Sequence, residues 1–327
     1  MASTSGTTST TTGLITAARN FFTANGWTSN SFVTDGTGYR LHLQRSTDIF
    51  VNLRSTQNEN PYGTNTDLES TFGNGLNALW CNASTGYNSS NNWYSQPGAP
   101  RNFSTTNLYR YQGIAGLSGS MNYWLFTGGD CGYVVVEAPT GTFSWLGFGK
   151  ISKIGDSGGG QFFFGKDKPT GSLTATWPFF GRDWAGFGTS RGFLYLSGVD
   201  GKTGWCVSES VTENGNIIPM RLGDGVQKMQ SIVYLTPNLF DSEAQPDPIE
   251  VFTTRDGSNF ASNTPYTVWG YLEGLYFCNI RNLKSGSTYT KSTDQFYVFT
   301  FHQKVDSNPA NISTGSTGTL GFAIKSN

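Results

Sequence analysis

The sequence predicts a mainly β protein, an antiparallel β sandwich or barrel-like core with one N-terminal amphipathic helix. Three observations predict it. Residues 123–165 read YWLFTGGDCGYVVVEAPTGTFSWLGFGKISKIGDSGGGQFFFG, a run of short apolar, aromatic segments cut by glycine-rich turns. Residues 39–54 alternate apolar and polar side chains with period two, as a strand with one face covered requires. The 327 residues also contain 42 Gly and 15% aromatics, and aromatic side chains suit pleated sheets while glycines suit the turns between strands.

The elements follow in order. Residues 1–12, Met1 and then ASTSGTTSTTT, show no basic-then-apolar leader pattern and predict a flexible polar arm. Residues 13–25 predict the helix. Leu14, Ile15, Ala18, Phe21 and Phe22 share one face at about 100° per residue, Thr12 can cap the start, and Asn25-Gly26 favours a left-handed stop. Tyr39, Leu41 and Leu43 then alternate with Arg40, His42 and Gln44, and Ile49, Val51 and Leu53 with Phe50, Asn52 and Arg54. These two runs form a hairpin with one buried and one wet face.

Residues 57–119 are rich in Asn, Ser, Gly and Tyr and predict a surface loop set with a short helical turn near 67–76. Further strands are expected near 123–127, 132–137, 143–148, 161–165, 193–197, 231–235, 249–253, 266–277 and 295–302. Regular turn signals between them indicate a sandwich or barrel, and the lack of a fixed-period repeat argues against a propeller or β helix. Residues 13–327 therefore read as one mainly-β region, with a weak subdomain boundary at 166–171 (KDKPTG). The stretch 241–248 (DSEAQPDP) reads as an acidic surface loop.

Composition excludes several function classes. Charged residues are 13% and the net charge is −1, so neither charge-driven disorder nor a basic nucleic-acid surface is expected. No apolar run approaches the roughly 18 residues of a membrane span, so no membrane insertion is expected. Cys81, Cys131, Cys206 and Cys278 are widely spaced and form no C-x-x-C pair. They read as small buried hydrophobes, with one or two disulfides as the alternative.

Gly155-Asp156-Ser157-Gly158-Gly159 spells the nucleophile loop of a trypsin-like protease, which needs a His base and an Asp to orient it. The histidines are His42 and His302. His42 sits at a polar-face strand position outside that family's Ala-Ala-His-Cys context, and no cysteine flanks the pentapeptide, so the match reads as coincidence. Residues 198–204 (GVDGKTG) miss the P-loop spacing, because Leu196 stands where the first glycine belongs. They read as a hairpin turned at Asp200-Gly201.

Glu137, Glu209, Glu213, Glu250 and Glu273 are the carboxylates a glycoside hydrolase could use, if folding brings two of them about 5–10 Å apart. Trp93, Trp145, Trp184 and Trp269 are candidate sugar-stacking platforms, with core packing or subunit contact as the plainer reading. Two distant histidines and no Asp-x-Asp-x-Asp-Gly loop point to no metal site. The sequons at Asn82, Asn88, Asn102 and Asn311 are expected by chance in so Asn/Ser-rich a chain. The sequence thus assigns no catalytic, cofactor-binding or metal-ligating residue.

Several segments together resemble a family of tailed-bacteriophage virion structural proteins of the neck or tail. They are the helix ending in Asn25-Gly26-Trp27, the run Phe50–Ser55, and the element Ser84-Thr85-Gly86-Tyr87 with Trp93 and Gln96-Pro97-Gly98. Val134–Glu137, Phe148–Lys150, Gly158–Phe163, Gly270–Tyr276, Asn279–Leu283, Tyr297–Phe299 and Gly321–Lys325 complete the set. The resemblance covers nearly the whole chain. Where that family often carries a His before its Phe-Gly element, this chain has Trp145-Leu146.

The resemblance implies a non-enzymatic virion component made in the host bacterial cytoplasm. It would assemble as an oligomeric ring or decoration at the neck, collar or tail, against copies of itself and neighbouring phage proteins, and need no cofactor. A receptor-binding tail component that recognises host glycans is the first rival, and a glycan-degrading virion enzyme the second.

Overall fold

Side chains alternate across every strand, and in this chain that alternation stacks three sheets. A computed structural model of the chain describes residues 1–59, 76–100, 112–155, 158–165, 191–199, 202–207, 212–213, 216–217, 246–254, 266–280, 282–300 and 320–327. The elements run β1 (Ala2–Thr8), α1 (Thr11–Ala24), β2 (Thr28–Asp35), β3 (Gly38–Ser46), β4 (Ile49–Glu59), β5 (Leu76–Ser84), β6 (Gln112–Ala115), β7 (Met121–Gly128) and β8 (Cys131–Glu137). They continue with β9 (Phe143–Lys150), β10 (Ser152–Lys153), β11 (Gly158–Gly165), β12 (Arg191–Val199), β13 (Lys202–Val207), β14 (Thr212–Glu213) and β15 (Asn216–Ile217). The last are β16 (Asp247–Thr254), β17 (Tyr266–Asn279), β18 (Thr288–Lys291), β19 (Asp294–Thr300) and β20 (Leu320–Lys325).

The central sheet has seven strands in the order β1-β7-β8-β9-β11-β12-β13. A five-stranded sheet, β2-β3-β4-β5-β6, covers one of its faces together with α1. A six-stranded sheet, β10-β17-β20-β19-β18 with β16 also on β17, covers the other. β14 and β15 form a small separate ladder. The paired strands are antiparallel, and the sheets do not close into a barrel, so the sandwich half of the expectation holds and the barrel half does not.

β8 shows why the centre reads as nearly continuous apolar sequence. Val134 and Val136 face the helix side, Tyr133 and Val135 face the six-stranded sheet, and all four are buried. Antiparallel sheets usually leave one face to water; this one has both faces covered. Glycines make room for the aromatics. A Cβ at Gly147 would collide with the rings of Phe164 and Tyr133, and one at Gly132 with Phe148 and Phe22.

α1 starts two residues earlier than the sequence suggests. Thr10, not Thr12, is the cap, its hydroxyl accepting from the Gly13 N–H at 3.0 Å. The expected end stands, with Asn25 as C-cap and Gly26 at φ 87°. Leu14, Ile15, Ala18 and Phe22 are fully buried, while Phe21 sits half-buried at the rim. Phe22, Trp27 and Phe148 meet edge to face at centroid distances of 5.2–5.9 Å.

Two expectations are corrected. Residues 2–8 of the expected flexible arm are strand β1, paired one-to-one with β7 from Ala2↔Thr127 to Thr8↔Met121. Threonine suits strands, β7 offers a ladder of backbone partners, and Met1 packs against the core beside Gly128 and Gly274. The expected loop set at 57–119 also contains β5 and β6, because β4 runs on to Glu59 and pairs with β5. The helical turn near 67–76, the boundary at 166–171 and the strand at 231–235 lie outside the described residues, apart from Leu76, which opens β5. Of the acidic stretch 241–248, Asp247 and Pro248 begin β16. Among the described residues no helix is long and apolar enough to cross a membrane.

Candidate functional site

The outer face of the five-stranded sheet holds a set of buried polar side chains. His42 on β3 lies opposite Asn52 on β4, and Asn52 lies opposite Asn82 on β5, so the three form a row across the sheet. Period two predicts this face to be wet, yet His42, Asn52 and Asn82 are at most 2% exposed. Residues 85–100 fold back over them. The Tyr87 ring lies 5.0 Å from that of His42, and Trp93 packs with Trp80 and Ala78.

Burial obliges these polar groups to find partners. His42 Nδ1–H donates to Asn52 Oδ1 at 2.7 Å, Asn52 Nδ2 donates to Ser84 Oγ at 3.1 Å, and Ser84 Oγ donates to the Gly86 carbonyl at 2.9 Å. Asn82 Nδ2 reaches the Tyr94 carbonyl at 3.4 Å. Burial pushes His42 below the usual histidine range, against the Asn52 hydrogen bond, which favours the charged form. A His, an amide and a hydroxyl stand in line, but in the wrong order for nucleophilic catalysis. A hydrolase places the His between hydroxyl and orienter; here the amide stands between them, and the hydroxyl proton goes to a backbone carbonyl. The arrangement latches a loop.

The far end of that loop is clasped by Gln96-Pro97-Gly98. Gln96 Oε1 accepts from the Asn88 N–H at 2.8 Å, and its Nε2 donates to the Asn91 and Asn92 carbonyls at 3.2 and 3.1 Å. The Pro97 carbonyl accepts from Thr85 N–H, and that of Gly98 from Trp205 Nε1 at 2.7 Å, tying the loop to the central sheet.

The structure describes some of the other candidates. Gly158 and Gly159 belong to β11, while Asp156, Ser157 and His302 lie outside the described residues. β12 and β13 form the expected hairpin around 200–201, closing at Val199↔Lys202. Glu137 accepts from Asn122 Nδ2 at 2.9 Å on the central sheet. Glu250 alternates with the core residues Ile249 and Val251 and so faces away from the core, whereas the Glu273 carboxylate lies against Gly129 in the β7–β8 turn. The side chain of Glu213 and all of Glu209 fall outside the description.

Trp93, Trp145 and Trp269 are 1–4% exposed, which corrects their candidacy as sugar platforms; Trp184 lies outside the described residues. Of the large hydrophobics described, only Val33 and Ile154 are exposed. Cys81, Cys131 and Cys278 are free, buried thiols, and burial pushes Cys131 and Cys278 up to about 12. The Cys206 side chain is not described. Asn82 is fully buried and cannot serve as a glycosylation acceptor in this fold. Among the described residues no group of three or more His, Cys, Asp or Glu is placed to hold a metal.

Sequence reasoning missed the latch and the clasp. The one available signal was the polar row His42, Asn52, Asn82 on strands followed by an aromatic-bearing loop. Neither a protein-family model nor a curated protein matches the chain.

Proposed function

We propose that this chain is a non-enzymatic structural protein of a tailed-bacteriophage virion, assembled as an oligomeric ring or decoration at the neck, collar or tail. One observation carries the reading: the segments behind the resemblance to such proteins are those that build the sheet stack. Val134–Glu137 belongs to the doubly buried β8, and Phe148–Lys150 pairs with Gln161–Phe163 between β9 and β11. Phe50–Ser55 lies within β4 and Gly270–Tyr276 within β17, while Gly321–Lys325 pairs with β19. Gln96-Pro97-Gly98 is the clasp. The resemblance thus rests on framework, which suits a part whose task is shape and contact.

Its partners are then copies of itself and neighbouring neck or tail proteins. Immunogold labelling of purified particles tests this. Label at the head–tail junction or along the tail supports it. Label confined to fibre tips favours a receptor-binding part, and unlabelled particles overturn the reading.

A further inference from the structure

We infer that residues 86–92 form an acid-released strap: neutral His42 holds it shut over the five-stranded sheet, and a proton on His42 lifts it while the three sheets stay folded. Both ends of the strap are pinned. At one end Thr85 N–H donates to the Pro97 carbonyl at 3.0 Å, and at the other Trp93 is buried with Trp80 and Ala78. Between the pins the described hold on the sheet is slight. Asn88, Ser89, Ser90 and Asn92 are exposed, the Ser84 hydroxyl reaches the Gly86 carbonyl at 2.9 Å, and the Tyr87 ring lies on His42. A segment with few buried contacts opens at a lower free energy than the whole fold.

Histidine is the side chain whose charge ordinarily changes between pH 5 and 8. With the strap shut, His42 is 2% exposed and its Nδ1–H is committed to Asn52 Oδ1. A charged ring needs water or an anion beside it, and residues 85–100 contain no Asp or Glu. The sheet offers little more. Arg40 stands two residues away on the same face of β3, and Ser31 of β2 lies opposite the ring. Asp35 of β2 and Glu59 of β4 are engaged with Arg54 at 3.5 and 2.7 Å, while β5 brings uncharged Trp80 and Asn82 to this face. Burial first, and then the Arg40 charge, disfavour the charged ring, against the Asn52 bond and Asp35.

Lifting Tyr87 lets water reach the ring, so the open strap takes up a proton that the closed strap resists. Acid therefore favours opening, and a pH above about 6.5 restores the shut form. The release belongs to the chain itself and stands apart from the virion reading.

Amide hydrogen exchange of the full chain at pH 7.5 and 5.5, read by NMR and corrected for intrinsic rates, is the test. The Asn88 and Asn91 N–H groups, which donate to Gln96 Oε1 and the Asn88 carbonyl, report the strap. Their protection should fall several-fold from pH 7.5 to 5.5, and by no more than about tenfold, the most that one histidine supplies over that range. At both pH values it should lie well below that of β8, which marks opening without unfolding. In His42→Gln, whose amide still donates to Asn52 but never charges, strap protection should be the same at both pH values. Wild-type strap protection that does not change with pH, or that equals β8 protection, overturns the release, and neither outcome depends on the variant folding. A fall that persists in His42→Gln overturns it as well.

Discussion

The two cores that flank the central sheet are filled differently. Between the central and six-stranded sheets, eleven of the twenty buried core residues described are aromatic, among them Trp124, Trp145, Phe164, Trp269 and Phe299. On the helix side five of the twenty-three described are aromatic, and Leu, Ile and Val predominate among them. Geometry explains the contrast. Two sheets stacked face to face stand about 10 Å apart with only side chains to fill the gap. On the other side α1 brings its own backbone into the gap, and shorter aliphatic side chains suffice. The aromatic wealth of the sequence is therefore in large part a packing requirement, and it marks neither a sugar platform nor an outer docking face at the tryptophans described.

The largest effect should come from truncating the aromatic core. Trp145→Ala should cost about 3–5 kcal/mol. Its neighbour Leu146→Ala, which faces the helix side, should cost about 2–5 kcal/mol and less than Trp145→Ala. Denaturant unfolding of both gives the order, and a reversed order breaks the comparison. Filling the glycine gaps should have a smaller effect. Gly147→Ala and Gly132→Ala should each cost about 1–3 kcal/mol, one on each side of the sheet. Shrinking Phe164 to Leu should relieve Gly147→Ala and leave Gly132→Ala unrelieved; relief of both would mean that the two cores are not independent.

The smallest effect concerns the latch outside both cores. His42 titrates lower in the folded chain than in the unfolded one, so its neutral form supports folding. That contribution is complete above a pH of about 6.5 and is lost as pH falls below it. Thermal unfolding between pH 7.5 and 5 should show a decline that is shallower in His42→Gln; identical slopes would remove His42 from the account.

The strands were legible in the sequence where one residue type ran with period two or where glycines bounded short apolar runs, as in β7, β8 and β9. α1 was legible from its apolar face. β5 was hidden, because the row Asn82 and Ser84 looks like loop composition until the 85–100 segment that covers it is in place. β1 was hidden for a related reason: a Ser/Thr strand has no apolar alternation, and it becomes a strand through the ladder that β7 offers. His42 looked like a wet-face residue because a local pattern cannot show that a loop from 45 residues further on supplies Tyr87 as its cover. The tryptophans were ambiguous as single residues; only the stacking of two sheets assigns them to a core.

Amide hydrogen exchange tests the central claim, that the middle sheet is covered on both faces and extends to the N-terminal strand. Residues 132–137 of β8 should exchange only through global unfolding, and residues 3–8 of β1 should be protected less than β8 but well above an unstructured chain. β8 or β1 amides that exchange at the rate of an unstructured chain would contradict the three-layer account.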